Sequence, residues 1–133
     1  MNIRTQLAYL AAILTLGLGI ASLVYPLGMV LVVGFDIVQP RALSEMRSTY
    51  GAMFIVMGAI MLYAIPTRPR TALYLRFAGF LWLGAAAGRL LSMIVDGVLT
   101  PINFAGLALE LLVGLGALLG SLENPKKSSP TQV

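Results

Sequence analysis

Hydrophobic positions in this chain come in long uninterrupted runs, and polar positions gather in a few short breaks between them. The first run extends from Thr5 to Phe35 without a charge. It exceeds what one helix across a hydrocarbon core of about 30 Å requires, and Pro26 divides it. Thr5 to about Val24 forms a first span. The remainder, Leu27 to Phe35, is apolar but too short to cross, so an interfacial or re-entrant segment packed on protein is expected there. Its valines leave a short strand as the weaker option. Arg4 ahead of an apolar stretch resembles a signal peptide, yet the stretch is too long and lacks an A-x-A site, so a retained helix is expected.

A second helix is expected from about Ala42–Ser44 to Ile65, with Ser44 as N-cap and Glu45 favouring the positive end of the helix dipole. Pro66-Thr67-Arg68-Pro69-Arg70 breaks it. The third helix covers roughly Thr71 to Val95, with Arg76 close enough to its start to snorkel outward. Asp96-Gly97 and Pro101 mark a turn, and a fourth helix runs from about Ile102 to Leu119. The fold class is therefore all-α: an integral membrane four-helix bundle. Residues 1–122 read as one four-span domain, and the polar segment 123–133 as a disordered tail.

Charge adds orientation. An even number of spans puts Arg4, Arg68, Arg70, Lys126 and Lys127 on one side, and Asp36, Arg41, Glu45, Arg47 and Asp96 on the other. By the positive-inside rule both termini are expected in the cytoplasm. The net charge of +4 is thus an orientation signal at span ends rather than a nucleic-acid footprint. Composition agrees, with 59% hydrophobic and 11% charged residues, against about 25% charged in soluble domains.

The chain has no cysteine and no histidine. Disulfides, Cys/His zinc sites, thiol catalysis and histidine relays are excluded, and no cofactor is implied. Acid–base chemistry would have to use Glu, Asp, Tyr, Lys or Arg.

Two charges interrupt the apolar text. Arg89 lies about eight residues before the turn between helices 3 and 4, and Glu110 about nine residues after Pro101. At 1.5 Å per residue both fall roughly 12–14 Å from the turn, so an Arg–carboxylate pair across the hairpin is expected. Each charge alone would cost roughly 2.5–3.5 kcal/mol in hydrocarbon. Asn103, Gly106, Gly114 and Ala117 share the Glu110 face, which is small and polar and should turn toward other helices. Helix 2 enters from the same side. The candidate ligand-binding polar cluster is Glu45, Arg47, Tyr50, Arg89, Ser92, Asp96 and Glu110, with no catalytic or metal set among them. Met53, Met57 and Met61 read as lipid-facing or core filler, Trp82 as packing or a pocket wall, and Gly84-Ala85-Ala86-Ala87-Gly88 as a packing surface.

Ser44-Glu45-Met46-Arg47-Ser48-Thr49-Tyr50-Gly51, then Gly88-Arg89-Leu90-Leu91-Ser92-Met93-Ile94-Val95-Asp96-Gly97, then Glu110, resembles the bacterial four-span membrane family of unknown function DUF4345. The family pattern usually continues with a second glycine where this chain has Ala52. The resemblance implies architecture and a site region and carries no activity; a bacterial inner (plasma) membrane location is expected.

Three functions compete at this level. The cluster can bind a small amphipathic or lipid-like molecule or dock a membrane partner. Glu110 can couple protons in a small oligomeric transporter, although an arginine partner would hold it ionised. An intramembrane acid/base enzyme is the least supported, because no nucleophile–base or metal spacing is present. An ion pair of this kind can also serve only to fix helix register.

Overall fold

The computed structural model describes residues 2–34, 43, 46–67, 72–95, 97 and 99–122, apart from the side chain of Ser92. Helix α1 covers Ile3–Val24 and α2 covers Pro26–Val32. Helix α3 is π-helical over Met46–Ala52 and α-helical over Met53–Ala64. Helix α4 is Ala72–Val95 and α5 is Pro101–Ser121. The spans α1, α3, α4 and α5, of 22, 19, 24 and 21 residues, are long and apolar enough to cross a membrane. This is a multi-pass membrane protein.

Local chemistry explains the boundaries. The Asn2 side chain accepts from the Thr5 amide at 3.0 Å and caps α1. Pro26 ends that helix and begins the next, because a proline is tolerated at a first helical position where its missing N–H is not needed. The segment after it is helical, so the preference of its valines for a strand does not prevail. Between α4 and α5, Gly97 has φ +68°, a left-handed conformation that an L side chain would strain. Thr100 then caps α5 by accepting from the Asn103 amide at 3.3 Å, with Pro101 at the first helical position. Ser44 and Glu45, expected to start the second span, lie outside the described residues, as does the tail from 123 onward.

Helix α1 is the centre of the arrangement. Its buried face is small, formed by Ala8, Ala11, Ala12, Thr15, Gly19 and Ser22. Small residues let helix backbones approach closely where lipid supplies no hydrophobic drive. On one side α3 runs antiparallel to α1. A Cβ on Gly58 would come within 2.7 Å of the Leu16 amide nitrogen, and one on Gly19 within 2.6 Å of that of Ile55. On the other side α5 fits Gly116 against the Leu7 carbonyl and Gly120 against Ala8. Helix α4 packs on α5 where Gly79 and Gly114 meet, each lying close to the other's carbonyl oxygen.

Helices α3 and α4 close the ring only in the half nearer the termini. There Met61, Ala64, Leu75 and Ala78 join Ala8, Ala11, Val113 and Ala117 in a buried core. Phe54 meets Trp82 at a ring-centroid distance of 5.0 Å at the edge of this core. Toward the α4–α5 turn the two helices leave a lateral opening.

One expectation is corrected. Gly84 and Gly88 have nothing within 4 Å of an added Cβ, and Ala85 and Ala87 are exposed, so only Ala86 of that stretch is buried. The packed glycines are elsewhere, on the faces turned to α1 and α5.

Candidate functional site

The polar centre forms where α4 and α5 run side by side. Arg89 sits six residues before the end of α4, and Glu110 sits nine residues after the start of α5. Arg89 Nε donates to Glu110 Oε2 at 2.9 Å, and Nη2 donates to Oε1 at 2.6 Å. This is the side-on, two-bond pairing that the planar guanidinium favours. A third donor, Nη1, reaches Asn103 Oδ1 at 3.2 Å, two turns earlier on α5.

Gly106 makes room for the pair. A Cβ there would lie 2.7 Å from Arg89 Cζ and 3.0 Å from both Nε and Nη1. Asn103, Gly106 and Glu110 follow at three- and four-residue spacing, so α5 presents one face holding an acceptor, a seat and a carboxylate. The guanidinium rests directly on that face.

The pair lies at the inner wall of a cavity of about 970 Å³ between α3 and α4, at the upper end of the range for small-molecule sites. Tyr50, Met53, Met57 and Ile60 of α3 form one wall, and Leu73, Phe77, Leu81 and Trp82 of α4 the other. Ser22 of α1 and Gly106 and Leu109 of α5 form the floor, and Met29 and Val32 of α2 border the end toward the α4–α5 turn. Rim residues are open, with Phe77 66% and Val56 58% exposed. Along α4 the lining extends from Leu73 to Arg89, which at 1.5 Å per residue is about 24 Å. That exceeds the ~15 Å hydrocarbon depth of one leaflet.

The two charges differ in access. The Arg89 side chain is 28% exposed and that of Glu110 only 8%. A molecule in the cavity therefore meets the guanidinium, with the carboxylate behind it. Tyr50 meets Phe54 in a tilted contact at 5.7 Å, and Phe54 meets Trp82 likewise, so an aromatic row links the mouth to the inner wall. The Trp82 indole nitrogen is buried and has no hydrogen-bond partner among the described residues. In hydrocarbon such an orphaned donor is costly.

Of the seven residues singled out from the sequence, the structure joins Arg89 to Glu110 and places Tyr50 in the same cavity wall. Arg47 is exposed and outside the lining. Glu45, Asp96 and the side chain of Ser92 lie outside the described residues. Asn103, Gly106 and Trp82 belong at the site but were not in the set. The first two are legible from their spacing to Glu110, whereas nothing in the local sequence marks Trp82 as an unpaired donor. The π-helical turn carrying Tyr50 was also unforeseen, and such turns recur at functional sites. Among the described residues no cluster of three or more His, Cys, Asp or Glu could hold a metal ion.

A family model described as a domain of unknown function (DUF4345) matches residues 4–121. No curated protein and no solved structure matches the chain.

Proposed function

The chain belongs to the DUF4345 family, whose description assigns no activity, and we propose from the site alone that it binds a small amphipathic or lipid-like ligand in the cleft between α3 and α4. The ligand's apolar part lies along Met53, Met57, Phe77 and Leu81, and its anionic or carbonyl head faces Arg89. The observation that carries this reading is an arginine held by a carboxylate from behind and open in front, at the inner wall of an otherwise apolar cleft. A pair serving only to lock two helices has no need of an open face. Proton-coupled transport through Glu110 is less well supported, because both carboxylate oxygens are already engaged by Arg89.

Native mass spectrometry of the gently purified protein tests the proposal. The wild type is expected to carry a lipid-like adduct. Ala85→Trp fills the cleft while keeping both members of the ion pair, and should lose the adduct while keeping the melting temperature. The exchange Arg89→Glu with Glu110→Arg should recover most of the fold without recovering the adduct. Full recovery of both, or an adduct that survives Ala85→Trp, overturns the binding role.

We also propose a bacterial inner membrane location with both termini cytoplasmic, on the distribution of Arg4, Arg68, Arg70, Lys126 and Lys127. Because the chain contains no cysteine, single introduced thiols report sidedness cleanly. Leu99→Cys is expected to react with an impermeant maleimide in intact spheroplasts, and Ser129→Cys only after lysis. The reverse pattern would invert the topology.

A further inference from the structure

Resting on the cleft as a ligand site, we infer that its occupant is an uncharged long-chain molecule whose head is a carbonyl acceptor. Two observations converge on this class. First, the polar centre is already neutral, since Arg89 and Glu110 cancel within bonding distance. A carboxylate or phosphate head would introduce an uncompensated negative charge into hydrocarbon beside Glu110, whereas a neutral head introduces none.

Second, the more exposed member of the pair has donors to spare. Both Glu110 oxygens accept from Arg89, and the carboxylate is the less exposed member of the pair. Among the described residues Arg89 uses three of its five N–H groups, leaving one on each terminal nitrogen. A carbonyl oxygen has two lone pairs and can accept both. A neutral ion pair with spare donors on its more exposed member favours a ligand head with acceptors and no charge. Acyl esters and long-chain quinones share that chemistry, and the ~24 Å of lining along α4 accommodates the tail of either.

The chain's single tryptophan, Trp82, makes the test direct, because it lines the cleft. The protein is placed in nanodiscs of ether-linked phosphatidylcholine, which carries no acyl carbonyl to compete. Quenching of Trp82 is followed with three probes brominated at mid-chain: methyl stearate, stearate at alkaline pH, and octadecane. Methyl stearate is expected to saturate at about tenfold lower concentration than either of the others. Glu110→Gln removes the balancing charge and should reverse the order of ester and carboxylate. If that variant does not fold, the wild-type series decides alone. A decyl-benzoquinone that displaces the ester at lower concentration identifies the quinone as the favoured source. A weaker displacement identifies the acyl ester.

Wild-type protein that prefers stearate, or does not distinguish ester from alkane, overturns the neutral-carbonyl assignment while leaving a lipid site standing. Absence of saturable quenching by all three probes removes the lipid site itself.

Discussion

Glu110→Ala is expected to destabilise the protein by about 3–5 kcal/mol, the cost typical of breaking a buried ion pair from one side. The reason lies in what remains. Arg89 would keep its charge at any accessible pH, since guanidinium does not deprotonate in proteins. It would be seated on Gly106 with, among the described residues, only the Asn103 carbonyl as acceptor. Arg89→Ala should cost less, about 1–3 kcal/mol. The stranded carboxyl can take up a proton and become neutral. This asymmetry is the informative part. Replacing both residues by apolar ones of similar size, Arg89→Met with Glu110→Leu, should recover much of the loss, as removal of a whole buried pair often does. Reversible unfolding in mixed micelles by SDS titration measures all four proteins, and adding the Arg89→Ala, Glu110→Ala double variant closes a double-mutant cycle. Equal losses in the two single variants would mean that solvent reaches the pair freely and that the site is not desolvated.

The second large effect is expected at a residue with no polar chemistry. Gly58→Val should destabilise by about 1–3 kcal/mol through overpacking, because the new Cβ would meet backbone rather than a yielding side chain. It would lie 2.7 Å from the Leu16 amide nitrogen and 2.8 Å from its Cα, so α1 and α3 must separate. Gly84→Val is the matched control within the same protein. Nothing stands within 4 Å of a Cβ at Gly84, and a change close to zero is expected in the same titration. Two glycines in similar apolar text would then differ by most of the Gly58 effect. A comparable loss at Gly84 would show that its face of α4 is covered by a second copy of the chain.

Such pairs of positions show where sequence reasoning reaches its end. Gly58 follows Met57, and Gly84 precedes a run of alanines, and both look like helix-packing residues. Only the position of a neighbouring backbone distinguishes them. Similarly, Met53 and Met61 occupy one stripe of α3, yet Met53 is half exposed on the cleft rim while Met61 is fully buried. In a soluble protein the polarity of the outer face would reveal which side is in. In a membrane both lipid and protein interior are apolar, so that contrast is absent.

What the chain determined by itself was set by strong one-dimensional physics. Run length against bilayer thickness specified four spans, and proline and Asp-Gly breaks placed their ends within a few residues. The cost of an isolated charge, together with the fixed rise of the helix, predicted that Arg89 and Glu110 would meet across the hairpin. Tertiary structure alone decided that α1 would be the central helix, that α3 and α4 would part toward the α4–α5 turn, and that Gly106 would seat the guanidinium. It also buried the Trp82 indole nitrogen without a hydrogen-bond partner among the described residues. Those outcomes depend on which apolar faces approach one another, and in a chain made of leucine, alanine and glycine many helix faces are nearly equal in polarity. Backbone proximity at a few glycines selects among them, and that is a property of helix pairs rather than of any single helix.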